Sequence, residues 1–296
     1  MSTVAGITKQ ASAAGWRREA VLAALALVVA AGCSEGSAVT TTTAPAATTL
    51  PATTAPSTTT STTTTAPTNA TWDVVALGDS YVAGAGVGGP PWGFTGAYAD
   101  ALGEELGIET VLHAYAEYGT VAEVNQRLAA SDDMQQTIAT AEVVIVWLGY
   151  HNVLGAPWGE TCGTGWPEPL RTCLIEATAT MPADFDELLG TIESLVTDEA
   201  IVMIGTQALG PPEIEKWGDE PFWPELRGVA YDGWAEGIAL AAAAHGAILV
   251  NTAAWFTGPE GNQLLRHEFL LPDGIHFSRP GHTALAQLFL AADGLE

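Results

Sequence analysis

A serine near the start of the folded region and an aspartate–histidine pair near its end have the residue types of a nucleophile and its base. Ser80 stands in the sequence GDSY at residues 78–81, directly after an apolar run. Asp273 and His276 are three residues apart, so the carboxylate can hold one ring nitrogen while the other takes a proton from a serine hydroxyl. Together these residues indicate nucleophilic attack on a carbonyl carbon.

Five apolar runs predict the strands that would position these residues. They are nearly continuous in aliphatic residues, which is typical of parallel strands that helices cover on both faces. The predicted strands are Val74–Leu77, Thr110–Ala114, Glu142–Leu148, Ala200–Gly205 and Ala247–Asn251. Ser80 would then lie just past the first strand, at the entrance to a helix whose N–H groups and dipole favour negative charge.

Helical patterns fill the intervals between the predicted strands. Thr120 with Glu123 three residues later is a capping-box sequence, and Pro182 suits the first turn of another helix. The predicted helices cover residues 120–128, 182–196, 224–245 and 279–292. This alternation predicts a three-layer α/β/α sandwich around a parallel sheet of about five strands. Functional side chains should gather at the carboxyl ends of those strands.

Two sequence blocks resemble the first and last signatures of the SGNH (GDSL-type) hydrolases. They are GDSY at residues 78–81 and DGIHFSRPGH at residues 273–282. The resemblance covers essentially the whole of residues 72–292 and implies a flavodoxin-like α/β fold. It also implies a catalytic triad of Ser80, His276 and Asp273.

The resemblance further implies an oxyanion hole, which this family builds from the serine N–H, a glycine N–H and an asparagine side chain. The first two correspond to Ser80 and Gly119. The third block departs from the family pattern Gly-x-Asn-Asp, because it reads GYHN at residues 149–152. The donor is then Asn152, our first choice, after a one-residue shift of the loop, or the imidazole of His151. A hole without that donor would lose about 10² to 10³ in turnover.

The expected function is hydrolysis of an ester outside the cell membrane, with a lipid, a small ester or an O-acylated glycan as substrate. An acyltransferase would use the same residues with another alcohol in place of water. The alternative from a different class is a non-catalytic SGNH-like domain that binds cell-envelope glycan or lipid. The altered block at 149–152 favours this alternative, and the intact set of Ser80, Asp273 and His276 opposes it. Neither a cofactor nor a second copy of the chain is expected.

The charge of the chain excludes nucleic acid as a partner. Its 34 acidic and 9 basic residues give a formal charge of −25, which repels phosphate. A metal site at Asp273, His276 and His282 is set aside, because their spacing matches no standard zinc pattern. His113 and His245 are interpreted as structural residues.

Residues 1–33 have the pattern of a bacterial lipoprotein signal peptide. Positive charges precede an apolar run at residues 21–32, which is shorter than the ~20 residues that span a bilayer. The run ends in Ala-Ala-Gly-Cys, which resembles a lipobox with Ala30 where leucine is preferred. Cys33 is therefore expected to carry a lipid that anchors the protein to the outer face of the membrane. Ordinary cleavage without a lipid is the alternative.

The remaining chain divides into a tether and a folded domain. Residues 34–69 consist largely of Thr, Pro, Ala and Ser, a composition that favours an extended, unfolded segment. The hydrolase-like domain is then expected over residues 70–296. Within it, Cys162 and Cys173 are expected to form a disulfide on the oxidising side of the membrane. Two free thiols are the alternative.

Overall fold

A five-stranded parallel sheet forms the centre of the protein in a computed structural model. The structure describes residues 70–116, 119–154, 172, 175–176, 179–206, 233–258 and 266–295. The strands are β1 (Thr71–Gly78), β2 (Glu109–Ala116), β3 (Val143–Trp147), β4 (Ile201–Gly205) and β5 (Ile248–Val250). Their order across the sheet is β2-β1-β3-β4-β5, and every neighbouring pair is parallel. The predicted strands and the parallel sheet are confirmed.

Eight α-helices are described around this sheet. They are α1 (Phe94–Leu106), α2 (Val121–Ala130), α3 (Asp132–Thr140), α4 (Tyr150–Leu154), α5 (Met181–Leu195), α6 (Gly233–Ala244), α7 (Thr252–Thr257) and α8 (Arg279–Leu290). The capping box at α2 is confirmed, since the Thr120 hydroxyl accepts the Glu123 N–H and the Glu123 carboxylate accepts the Thr120 N–H. The helix predicted from residue 224 is described only from residue 233.

Helices cover both faces of the sheet because side chains alternate along each strand. Val75 and Leu77 of β1 pack in a core with α2, α3, α5 and α6. Val74 and Ala76 point to the opposite face and pack in a second core with α1, α7 and α8. These strand residues are fully buried, so the protein has the three-layer α/β/α arrangement that the sequence predicts.

The segment after β1 differs from the expectation of a helix at Ser80. Residues 80–88 form turns, and α1 begins only at Phe94. The N–H groups of Ala83 and Ala85 bond to the carbonyls of Asp79 and Ser80, both at 2.9 Å, which closes a single turn. The glycine-rich sequence that follows does not support a longer helix.

Several sequence predictions concern residues outside the described part of the chain. These are the signal peptide and lipid site at Cys33, the tether at 34–69, and the disulfide between Cys162 and Cys173. In the part that is described, no helix has both the length and the apolar character needed to cross a membrane.

Candidate active site

Ser80 lies at the carboxyl end of the sheet, where the chain leaves β1. The chain continues from β1 to β2 on one side of this pair and from β3 to β4 on the other side. Where the connections of two neighbouring parallel strands diverge in this way, a crevice opens at their carboxyl ends. Gly78 makes a close packing possible here, because a Cβ on it would lie 2.2 Å from Val82 and 2.6 Å from the Trp147 carbonyl. Ser80 itself is half-buried. A half-buried serine at this edge can meet a substrate while remaining anchored to the core.

Asp273 and His276 are brought together by a tight loop before α8. The ends of this loop pair through an antiparallel bridge between Leu270 and Phe277. The Oδ1 atom of Asp273 accepts the N–H groups of Ile275 and His276 at 2.9 and 3.0 Å, which fixes the carboxylate. Its Oδ2 atom lies 2.8 Å from Nδ1 of His276. Nδ1 therefore carries the proton, and Nε2 is left as the acceptor.

Tyr81 joins the serine segment to this loop. Its hydroxyl donates to the Ile275 carbonyl at 3.1 Å, and its ring lies 6.2 Å from the His276 ring, centroid to centroid. The same ring stacks on Trp147 at the end of β3, 5.0 Å away. One side chain next to Ser80 thus contacts both the sheet and the histidine loop.

The Asp273 carboxylate is well suited to orient an imidazole. Partial burial acts to raise its pKa, but the N–H groups of Ile275 and His276 and the His276 ring outweigh that effect and lower it. The side chain is 44% exposed and that of His276 is 29% exposed. Asp273 therefore remains ionised in mildly acidic solution and holds His276 in one tautomer. The Ser80 hydroxyl makes no hydrogen bond in the described structure; such bonds often form only around a substrate.

Gly119 lies just before α2, and Asn152 contacts the first residue of that helix. A Cβ on Gly119 would lie 2.8 Å from the ends of the Glu123 and Arg127 side chains, which would have to shift to admit it. Asn152 is only 8% exposed, and its Oδ1 atom accepts the N–H of Val121 at 2.9 Å. The oxygen of this amide thus satisfies an N–H in the first turn of α2.

His151 precedes Asn152 in α4 and is less buried. Burial lowers the pKa of His151, and the nearby Glu123 carboxylate only partly offsets this. The ring is therefore neutral near pH 7 and has one N–H donor. Because Glu123 also adjoins Gly119, His151 and Gly119 lie beside the same carboxylate.

The positive backbone angle of Gly149 sets the start of α4. Its φ is 117°, a conformation that residues with a Cβ rarely adopt. A Cβ at this position would also lie 2.6 Å from the Trp234 ring. Gly149 thus allows the chain to turn from β3 into the helix that carries His151 and Asn152.

The other histidines of the sequence analysis have structural contacts. The Nδ1 atom of His282 accepts the N–H of Phe94 at 2.9 Å, and burial lowers the pKa of His282 to about 4. His113 pairs with Asp73 across β1 and β2 at 2.8 Å. No group of three or more potential metal ligands converges among the residues that the structure describes.

Two residues of the site could not be identified from the sequence. Asp79 is 1% exposed, yet its neighbours in sequence are typical of a surface turn. Tyr81 contacts Ile275, which lies 194 positions further along the chain. Only their place directly beside Ser80 could have indicated a role.

Solved structures of lipases share this fold. The lipase Lip_vut3 from a goat rumen metagenome is 21% identical, with a TM-score of 0.59 over 76% of this chain and 100% of its own. A lipase/acylhydrolase from Enterococcus faecalis is 17% identical, with a TM-score of 0.50 over 74% and 94% of the two chains. At such identities the likeness shows the fold alone. No protein of curated function matches the sequence.

The sequence pattern of one family matches most of the domain. The match extends over residues 76–284 and so includes Ser80 at one end and His276 at the other. It covers more than half of the chain and agrees with the resemblance noted in the sequence. The chain belongs to the GDSL-like lipase/acylhydrolase family.

Proposed function

We propose that this protein is a serine ester hydrolase with Ser80 as nucleophile, His276 as general base and Asp273 as the residue that orients it. The observation that carries the proposal is the 2.8 Å bond between Asp273 and Nδ1 of His276. This bond lies in a loop that contacts the segment of Ser80 through Tyr81. Such an arrangement of nucleophile, base and orienting carboxylate is the requirement for acyl transfer through a serine.

In the proposed reaction, Nε2 of His276 takes the proton of the Ser80 hydroxyl while the serine oxygen attacks the ester carbonyl. The tetrahedral intermediate collapses when the imidazolium gives that proton to the leaving alcohol. Water then attacks the acyl-serine with His276 taking its proton, and the imidazolium returns that proton to Ser80 Oγ as the acid is released. Asp273 stabilises the imidazolium in both steps without receiving a proton.

The oxyanion would be held by the N–H groups of Ser80 and Gly119 and by a side chain of α4. Asn152 was the first choice from the sequence, but its amide oxygen is bonded to the Val121 N–H. That contact fixes the Asn152 amide at the start of α2 and does not involve its N–H groups. Because Asn152 is buried and His151 is more exposed, we assign the donor to His151, whose neutral ring carries one N–H.

The substrate class proposed is a lipid, a small ester or an O-acylated glycan. Membership of a lipase/acylhydrolase family and the fold shared with the lipase Lip_vut3 support ester chemistry. The N-terminal pattern supports export, with lipid on Cys33 and residues 34–69 as the tether of a domain at 70–296. An exported hydrolase held at the outer face of the membrane would meet envelope lipids and glycans there.

Reaction of the full chain with a fluorophosphonate probe tests the proposed nucleophile. The serine oxygen displaces fluoride from phosphorus, so an activated Ser80 gains the mass of the phosphonyl group. We expect one label per chain on Ser80, and none in Ser80→Ala of equal thermal stability. A panel of esters of increasing acyl length then measures turnover.

The outcome also distinguishes the alternatives. Labelling that persists in Ser80→Ala would exclude the assigned nucleophile. A folded wild-type chain that takes up no label would instead favour the non-catalytic glycan- or lipid-binding domain. Labelling without hydrolysis, but with transfer of the acyl group to an added alcohol, would identify an acyltransferase.

A further inference from the structure

Asp79 is a buried carboxyl group that the proposed mechanism does not use. It connects β1 to Ser80, and its side chain is 1% exposed. One oxygen, Oδ1, accepts the Tyr81 N–H at 3.3 Å. The other, Oδ2, is buried and has no hydrogen-bond partner in the described structure. Because an unmatched buried oxygen is destabilising, its position beside the nucleophile calls for a functional explanation.

The surroundings of Asp79 couple it to His276. The Tyr81 backbone bonds to the Asp79 carboxylate, and the Tyr81 side chain bonds to Ile275 and lies against the His276 ring. Burial raises the pKa of Asp79 to about 7, while the Tyr81 N–H and the charge of His276 act to lower it. Electrostatic coupling is mutual, so an ionised Asp79 stabilises positive charge on the His276 ring. Among the described residues, His276 is the titratable side chain whose charge contributes to the pKa of Asp79.

The two carboxylates near His276 differ in their exposure to water. Asp273 is 44% exposed, and solvent therefore screens part of its field. Asp79 is enclosed by protein, where the same charge acts more strongly on a neighbour. The charge on His276 appears when it takes the Ser80 proton, and an ionised Asp79 would stabilise the imidazolium at that moment.

We propose that Asp79 is a positioning residue that acts through His276, as a second, buried carboxylate whose ionised form promotes proton transfer from Ser80. The proton moves from Ser80 Oγ to His276 Nε2, and Asp79 exchanges no proton with the substrate. This inference rests on the proposed serine hydrolase function. It adds an ionisation near neutrality that controls the reactivity of the nucleophile.

The variant Asp79→Asn in the full chain tests this role. It keeps an oxygen for the Tyr81 N–H and the size of the side chain but removes the charge. We would measure the rate constant of fluorophosphonate labelling of Ser80, and kcat/KM for p-nitrophenyl butyrate, from pH 5.5 to 9. Labelling should be about tenfold slower than wild type at pH 8.5. At pH 5.5 the two rates should be nearly equal, because the protonated Asp79 of the wild type is uncharged like the asparagine. Asp73→Asn, which removes a charge at the opposite end of β1, should keep the wild-type profile.

Each result bears on the proposal. A profile for Asp79→Asn that coincides with wild type, or that is lowered equally at every pH, would overturn it, since an equal loss indicates a purely structural role. If that variant does not fold, the ¹³C carboxyl signal of Asp79 in the wild-type chain decides. It should titrate near neutrality and respond to His276→Gln, whereas titration near pH 4 without such a response excludes the role. Absence of any labelling in folded wild type would instead refute the hydrolase function.

Discussion

His151 and Asn152 are neighbours in α4, but their side chains have different tasks. Asn152 is buried, and its oxygen satisfies an N–H at the start of α2. His151 is partly exposed and neutral near pH 7, because burial lowers its pKa. An aspartate at position 152, as in the family pattern, could accept the same N–H. Under the proposed assignment, the departure from the family pattern moves the donor from an amide to an imidazole.

The oxyanion assignment predicts opposite outcomes for these two positions. His151→Ala should reduce kcat by about 10² to 10³, because one preorganised donor is lost. His151→Asn should recover much of that loss through its amide N–H. Asn152→Asp, which retains an acceptor for the Val121 N–H but has no N–H, should lose far less. Ester turnover of the three variants at equal thermal stability measures this, and the reverse order would assign the donor to Asn152.

At the scale of elements, α5 and α6 are linked by the imidazole of His245. This residue follows the last turn of α6, and its nitrogens lie 2.7 Å from Glu193 and 3.0 Å from Asp186, both on α5. The Glu193 bond is the main cause of a raised pKa for His245, with Asp186 adding to it. A protonated ring can donate to both carboxylates at once. It also lies at a helix C-terminus, where positive charge is favourable.

This link predicts a pH-dependent contribution to stability. A raised pKa in the folded state means that the stabilisation is complete below the ordinary histidine pKa of about 6.5 and disappears as pH rises through the folded-state value. His245→Gln should therefore lower the free energy of unfolding by about 1 kcal/mol at pH 5.5 and by much less at pH 9, since the carboxylates are largely exposed. Urea unfolding at both pH values measures this. A difference that does not shrink at pH 9 would contradict it, and Glu193→Gln should show a weaker form of the same dependence.

The approximate positions of the strands and helices were easier to predict from the sequence than the residues at which they begin and end. The five strands were found because buried parallel strands are nearly continuous apolar runs. The helices α1, α3, α4 and α7 were not predicted. Helix α1 follows a glycine- and proline-rich segment, and its N-cap residue is Gly93, so the usual local signal for a helix N-terminus is absent. The Phe94 N–H is accepted instead by His282, which is distant in sequence.

At the scale of the whole molecule, two features bear on how the protein could associate with a membrane: its formal charge of −25 and the pattern of its N-terminal residues. An acidic surface repels anionic lipid head groups, so electrostatic attraction does not hold this chain at a membrane. Association would then depend on acyl chains at Cys33, with residues 34–69 separating the domain from the bilayer. Stable anchoring requires two such chains.

Intact-mass analysis of the chain extracted from a bacterial host tests the processing proposals together. We expect cleavage before Cys33, a mass increase from diacylglyceryl modification, and recovery from the membrane fraction. Cys33→Ser should lose the lipid and leave the membrane fraction. A mass lower by two hydrogens would establish the disulfide between Cys162 and Cys173, if a reductant reverses the difference and Cys162→Ser lacks it. Soluble wild-type protein of unmodified mass would refute the anchor.

The sequence by itself determined the fold class and the candidate triad, because both depend on local signals. Buried strands, a capping box and an Asp-x-x-His spacing are each contained in a few consecutive residues, and GDSY marks the first strand end. The tertiary structure decided what depends on residues that are distant in sequence. It brought Tyr81 against the His276 loop, buried Asp79 beside Ser80, and bonded Asn152 to the start of α2. Burial and charge coupling arise only when separate segments pack together, so these roles could not be found in the order of residues alone.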